Sequence, residues 1–166
     1  KLKVREAEAL GMDTIGKFKT ELEGYRKQLA RPYLIDRELN DALMKEAHAR
    51  MQEEVRAAHI LVQVAPDASP EDTLSAWKRI NGLRDRILKG EDFAAVAQGP
   101  GGSEDPSAAK NGGDLGWFSA LQMVYPFESA AYSTQIGEVS KPVRTRFGYH
   151  IIKVADRRTA RGQVKV

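Results

Sequence analysis

The sequence predicts an α+β protein in which a helical N-terminal segment precedes a domain of about 100 residues. Apolar residues between positions 15 and 51 recur at intervals of three and four, which is typical of helices. From Val55 onward, short β-prone runs alternate with helical patterns. The last two β-prone runs are separated by Gly148 alone. Strands so close in the chain favour an antiparallel sheet over the parallel sheet of a nucleotide-binding fold.

Two helices are predicted in the N-terminal segment, residues 1–54. The first begins at Asp13 or Thr14 and ends just before Pro32, because the residue preceding a proline is disfavoured in a helix. The second begins with Asp36 as its N-cap. Their apolar faces either pack on each other as a helical hairpin, the commoner arrangement, or bind a client polypeptide. The residues of these faces are Ile15, Phe18, Leu22, Tyr25 and Leu29 in the first helix and Leu39, Leu43, Ala47 and Met51 in the second.

The second part of the chain shows the element order β, α, α, β, α, β, β. Its first helix has the clearest start, because Ser69 can cap it and Pro70 suits its first turn. A glycine-rich stretch, residues 99–113, is predicted to be a loop. The predicted strands are residues 57–64, 114–118, 143–147 and 149–154, and the predicted helices are residues 70–90, 92–97 and 126–132.

Composition and charge exclude several classes of function. The longest uncharged stretch, residues 115–127, is well short of the roughly 20 apolar residues that a membrane span needs. The net charge of +3 arises from a basic C-terminal tail and not from a basic face, so nucleic-acid binding is not expected. The absence of cysteine excludes thiol catalysis, disulfides and cysteine-ligated zinc.

Short chemical motifs add further exclusions. The glycine-rich loop lacks the Lys-Ser/Thr pair of a phosphate-binding loop, and no GxSxG turn of a serine hydrolase is present. His48 lies among charged residues and is expected to be solvated. In contrast, His59 and His150 lie inside apolar strand runs, where a buried imidazole needs hydrogen-bond partners. These two histidines and Asp105 have no local metal-ligand spacing, so neither a metal nor a cofactor is expected.

Five motifs, in order and at matching spacing over residues 56–156, resemble the parvulin peptidyl-prolyl cis/trans isomerases. They are Ala58-His59-Ile60-Leu61-Val62, Gly112-Gly113-Asp114-Leu115-Gly116-Trp117-Phe118, Met123 with Pro126-Phe127, Gly137-Glu138-Val139-Ser140-Lys141-Pro142-Val143, and Phe147-Gly148-Tyr149-His150-Ile151-Ile152. The resemblance implies a four-stranded antiparallel sheet flanked by helices. Residues 1–54 resemble the helical segment that precedes such domains in SurA-like periplasmic chaperones.

The resemblance also implies a site. The catalytic residues would be His59 and His150, paired at the centre of the sheet, with Asp105 and the hydroxyl of Thr145 beside them. The apolar pocket for the proline ring would be formed by Leu115, Met123 and Phe127. In one departure, residues 98–102 form a longer and more glycine-rich link to Asp105 than is usual. In another, residues 65–68 replace the clustered Arg and Lys of the phosphate-selective parvulins, so no phosphate specificity is expected.

The predicted function is therefore isomerisation of X-Pro bonds in unfolded or partly folded polypeptides, as part of a folding chaperone. The alternative is a peptide-binding chaperone module with little or no isomerase activity. By resemblance, the location is the periplasm or cell envelope, and outer-membrane proteins are candidate clients.

The predicted organisation is a helical arm over residues 1–54, an isomerase domain over 55–157 and a basic linker over 158–166. Residues 161–166 share with residues 53–57 a polar or charged pair followed by alternating apolar and basic residues. We therefore expect the natural polypeptide to continue into a second parvulin-like domain.

Overall fold

A computed structural model describes residues 1–34 and 36–162. The chain divides into two compact units, and the division falls between Lys45 and Glu46. This is earlier than the boundary after residue 54 that the sequence suggested. The last residues of the segment that suggested a second repeat, 163–166, lie outside the described residues.

The first unit contains helices α1 (Leu2–Ala9) and α2 (Gly16–Leu34) and the start of α3 (Arg37–Arg50). Helix α1 was not predicted. Asp36 caps α3 as expected, because its Oδ1 accepts a hydrogen bond of 3.0 Å from the Leu39 amide.

Three expectations for this unit are wrong. Asp13 and Thr14 lie in a 3-10 turn and do not open α2. Pro32 lies inside the last turn of α2, where a proline sacrifices only one hydrogen bond at an exposed end and the helix can continue past it. The helices also do not bury each other as a hairpin, because the apolar side chains of both predicted faces remain exposed, among them Phe18, Leu22 and Leu43.

The second unit contains a four-stranded antiparallel sheet, which confirms the predicted fold class. Its strands are β1 (Glu53–Gln63), β2 (Asp114–Phe118), β3 (Val143–Thr145) and β4 (Gly148–Thr159), in the spatial order β2-β1-β4-β3. The helices are α4 (Pro70–Leu88), α5 (Phe93–Gln98), α6 (Ala108–Asn111) and α7 (Tyr125–Ser133). Helix α6 lies within the stretch that was predicted to be a loop.

Strands β1 and β4 are longer than predicted because they pair with each other from end to end. Glu53 lies opposite Thr159, and Gln63 lies opposite Gly148. Arg158 and Thr159, which the sequence assigned to a basic linker, therefore belong to the sheet. Arg158 also forms an ion pair with Glu54 on the neighbouring strand.

The sheet separates two apolar clusters, and this separation places the site. Ile60, Val62 and Ile151 point to one face and pack with α4 and α5. Alternate residues such as Val55 and Ile152 point to the other face and pack with Phe118 and with α7. Because side chains alternate along a strand, His59 and His150 belong to the α7 face.

Two glycines permit close approaches of backbone at the centre of the sheet. Gly113 has φ 82°, and a Cβ there would lie 2.2 Å from the carbonyl oxygen of His59. Gly148 has φ 145°, and a Cβ there would lie 2.1 Å from the carbonyl oxygen of Val62. Both contacts exclude any larger residue, so the loops that border the two histidines depend on glycine.

Within the described part of the chain, no helix combines the length and the hydropathy that crossing a bilayer requires.

Candidate functional site

A cavity of about 480 Å³ opens on the α7 face of the sheet. The two strand histidines and Asp105 are among its polar lining residues. All three apolar residues predicted for the proline pocket line it. The full lining is His59, Leu61, Gln63, Asp105, Pro106, Leu115, Gln122, Met123, Val124, Phe127, Arg146, Phe147 and His150.

The four predicted catalytic residues form one chain of hydrogen bonds. The Nδ1 atoms of His59 and His150 are 3.3 Å apart. Nε2 of His59 lies 2.7 Å from Oδ2 of Asp105, and Nε2 of His150 lies 2.8 Å from Oγ1 of Thr145. His59 and His150 meet because of the strand register, since His150 lies opposite Leu61 and is a diagonal neighbour of His59 on the same face.

When both imidazoles are neutral, their hydrogen-bond partners determine which atom donates and which accepts in each bond of the network. The Asp105 carboxylate only accepts, so His59 donates from Nε2 and accepts at Nδ1. His150 then donates from Nδ1 and accepts at Nε2. The donor to that atom is the hydroxyl of Thr145, whose oxygen also accepts the Phe147 amide at 3.1 Å. Every side chain of the network therefore has its hydrogen-bond partners.

Asp105 is held in its ionised form. Burial alone would raise its pKa, but hydrogen bonds from the amide and hydroxyl of Ser107, both 2.8 Å from Oδ1, and from His59 outweigh burial. The net result is a pKa below the ordinary value of an aspartic acid. The long glycine-rich link before Asp105 thus does not prevent it from reaching His59.

His150 is held in its neutral form. Burial lowers the pKa of its imidazole, and the neighbouring His59 lowers it further, while Asp105 acts in the opposite direction. The pKa of His150 falls from 6.5 to about 4. At neutral pH this imidazole is an uncharged hydrogen-bonding group.

Phe127 joins the polar floor to the apolar wall of the cavity. Its ring meets both imidazoles edge-on, with centroid separations of 5.7 Å to His59 and 5.4 Å to His150. Phe127 is only 4% exposed and also packs on Phe118, so it belongs to the core as well as to the cavity. Met123, in contrast, is half-buried.

Two charged residues of this region were missed by the sequence reasoning. Arg146, in the turn between β3 and β4, lines the cavity and stacks over the Phe147 ring at 4.7 Å. The expectation of no phosphate specificity depended on the segment after β1, whereas Arg146 reaches the cavity from the turn between β3 and β4. Glu128 is the other residue, and it is buried in α7 directly after Phe127. The only local signal for Glu128 was an acid in the first turn of a helix.

Within the described residues, no group of three or more His, Asp, Glu or Cys side chains is arranged to hold a metal ion.

Comparison with known proteins places these features in a family. Residues 42–158 match the profile of the PPIC-type PPIase domain. The foldase protein PrsA of Geobacillus sp. (strain WCH70) is 41% identical over 122 residues, which are 74% of this chain and 39% of the relative. The chaperone SurA of Nitrosococcus oceani is 41% identical over 113 residues, which are 68% of this chain and 25% of the relative.

A solved structure shows the same domain fold. The crystal structure of a PpiC-type peptidyl-prolyl cis-trans isomerase domain superimposes with a TM-score of 0.59 and 27% sequence identity, covering 68% of this chain and 98% of that chain. The chain spans less than half the length of the two curated relatives. The matched residues nevertheless include both histidines, the cavity wall and all of the sheet except Thr159, and this chain belongs to the family of PPIC-type peptidyl-prolyl isomerase domains.

Proposed function

We propose that this domain catalyses the cis/trans isomerisation of X-Pro bonds in unfolded or partly folded polypeptides. The observation that carries the proposal is a cavity with an apolar wall in which His59, His150 and Asp105 form part of the lining. These three residues belong to one hydrogen-bonded network, which Thr145 completes through its contact with His150. The size of the cavity suits one amino-acid ring with part of the adjoining backbone.

The reaction requires no covalent step. Rotation about an X-Pro bond has a barrier of roughly 18–20 kcal/mol because resonance makes the amide planar, and uncatalysed exchange takes on the order of tens of seconds. Lowering the barrier by roughly 5 kcal/mol brings exchange to about milliseconds. A site that binds the twisted amide better than the planar one provides this acceleration.

The cavity offers two contributions to such binding. Leu115, Met123 and Phe127 would hold the proline ring and exclude water from the amide. Loss of water favours the twisted amide, because the planar form has the more charge-separated resonance structure and depends more on hydration. The network of His59, Asp105, Thr145 and His150 would keep the floor rigid and set its polarity, with His150 neutral.

For the complete protein, we propose a role in chaperone-assisted folding outside the cytoplasm, in the periplasm or cell envelope. The names of the relatives, foldase protein PrsA and chaperone SurA, support this role. The clients would be unfolded, proline-containing polypeptides, and outer-membrane proteins are one candidate class.

A protease-coupled assay on a short Ala-Pro peptide tests the function. We expect the rate of cis-to-trans conversion to rise in proportion to the concentration of the 166-residue chain. Binding of the peptide without acceleration would contradict the isomerase proposal and favour the peptide-binding module.

A further inference from the structure

Behind the cavity wall lies a buried carboxylate that the isomerase reaction itself does not use. Glu128, in the first turn of α7, is 3% exposed. Its two oxygens have different partners. Oε1 accepts a hydrogen bond of 3.0 Å from the guanidinium of Arg50, and Oε2 accepts one of 2.6 Å from the backbone amide of Leu121. A buried charge is costly unless it is paired and hydrogen-bonded, and both conditions are met here.

The amide that Glu128 binds belongs to a strained residue. Leu121 has φ 67°, and it is the one non-glycine residue with positive φ among the residues that the structure describes. A residue other than Gly, Asn or Asp rarely adopts this conformation unless its surroundings impose it. The Leu121 side chain is 73% exposed, so side-chain packing does not hold it there. Its backbone amide, in contrast, donates the hydrogen bond to Glu128.

The strained turn leads directly into the cavity wall. The three residues after Leu121 are Gln122, Met123 and Val124, and all three line the cavity. Gln122 also folds back onto the turn, because its Oε1 accepts a hydrogen bond of 3.1 Å from the Ser119 amide. A change of backbone at Leu121 would therefore move Met123, one of the residues proposed to hold the proline ring.

Arg50, at the end of α3, completes the arrangement. The central carbon of its guanidinium lies 5.5 Å from the ring centroid of Tyr125 and 5.4 Å from that of Tyr132. It also donates to Ser129 Oγ at 3.0 Å and pairs with Glu46. Because Arg50 is held by these contacts and is only 12% exposed, it neutralises Glu128 in a fixed position.

We propose that Glu128 is a positioning residue for the isomerase site: it holds the turn at Leu121 in its left-handed conformation and so places Met123 in the cavity wall, with Arg50 as its supporting counter-ion. This inference rests on the proposed function of the cavity, and it adds a residue that touches no substrate.

The main test is Glu128→Ala in the 166-residue chain. We expect kcat/KM for a short Ala-Pro peptide to fall by about tenfold or more, which corresponds to about 1.4 kcal/mol. Adding Leu121→Gly should recover part of this loss, because glycine adopts a positive φ without strain and no longer needs the carboxylate. A purely structural role for Glu128 predicts no such rescue.

Ser140→Ala serves as the matched control. Ser140 is buried like Glu128, and its hydroxyl oxygen likewise accepts a backbone amide, that of Ile152 at 3.0 Å, but it does not line the cavity. We expect this variant to lower the midpoint of thermal unfolding and to leave kcat/KM within about twofold of the wild type.

A second variant covers the case in which Glu128→Ala does not fold. Leu121→Pro removes the same hydrogen bond by removing its donor, the amide of residue 121, and proline cannot adopt a positive φ. Because the Leu121 side chain is exposed, its replacement does not disturb the core. The methyl resonance of Met123 is the second readout, and we expect it to shift in every variant that releases the turn.

Two results would decide against the proposal or its premise. If folded Glu128→Ala or Leu121→Pro keeps kcat/KM within about twofold and the Met123 methyl resonance in place, the positioning role is overturned. If the wild type shows no isomerase activity, the proposed function fails, and the Met123 resonance still decides whether Glu128 holds the wall.

Discussion

The depressed pKa of His150 predicts that the domain loses stability over a defined range of mildly acidic pH. In the folded protein the imidazole has a pKa of about 4, and in the unfolded chain it returns to the ordinary 6.5. Between these values the unfolded chain binds a proton at His150 and the folded chain does not. Stability is therefore fully present above pH 6.5 and is lost as the pH falls toward 4.

The magnitude follows from the separation of the two pKa values. At about 1.4 kcal/mol for each pH unit between them, the free energy of unfolding is about 3 kcal/mol lower below pH 4 than above pH 6.5. Most of this loss, about 2 kcal/mol, is complete at about pH 5. The lowered pKa of Asp105 also makes the domain less stable as the pH falls, but this loss occurs below the ordinary pKa of 3.8. It therefore does not overlap the loss due to His150 between pH 6.5 and 4.

Urea unfolding followed by tryptophan fluorescence at a series of pH values measures the effect. Trp77 and Trp117 both lie in the unit that begins at Glu46, so the signal reports on the unit that contains the site. We expect His150→Gln to abolish the pH dependence in this window, whatever its effect on stability at neutral pH. Exposed His48 provides the control, and His48→Gln should keep the wild-type slope. Equal slopes in the wild type and His150→Gln would show that His150 is not the source of the pH dependence.

Three further predictions concern the cavity and the division of the chain. Met123→Ala should lower kcat/KM by about tenfold with little change in thermal unfolding. Phe127→Ala should lower kcat/KM and also cost about 3–5 kcal/mol of stability, because that ring is buried in the core. Unchanged activity in both folded variants would contradict the proposed pocket. Phospho-Ser-Pro peptides should be turned over less than about tenfold faster than unmodified ones, because Arg146 is the one Lys or Arg side chain among the described residues that line the cavity. A larger preference would contradict this, and its disappearance in Arg146→Gln would show that phosphate selection requires this residue. Residues 46–166, expressed alone, should unfold cooperatively and keep wild-type kcat/KM toward a short peptide. Inactivity of this fragment in its folded state would show that residues 1–45 contribute to catalysis.

The sequence was most informative where the determinants of structure are local. Ser69 and Pro70 specify the start of α4 through a cap and a fixed φ, and the structure places its first residue at Pro70. Gly148 between two β-prone runs specified the tight connection of β3 to β4. The prediction failed at Pro32, where a rule that holds for helix interiors was applied to an exposed last turn.

The histidines of the site were identifiable from the sequence because a polar ring within an apolar strand demands partners. The partners themselves could not be identified from neighbouring positions, because they are distant in the chain. His59 meets His150 across the sheet because of the β1–β4 register, and a slip of one residue would turn one imidazole to the opposite face. The family resemblance supplied this pairing, and the tertiary structure supplied the distances, the burial and the neutral state of His150.

Sequence alone thus indicated the fold class and the order of the four strands, since these depend on periodicity and turns along the chain. The family resemblance named the residues that we propose for the proline pocket. Only the tertiary structure decided that Arg146 reaches the cavity and that Glu128 and Arg50 support its wall. Arg50 and Glu128 are far apart in sequence and carry no motif, and charged residues in helices are usually solvated. Their burial results from the packing of α7 and the end of α3 against each other, which no local pattern encodes.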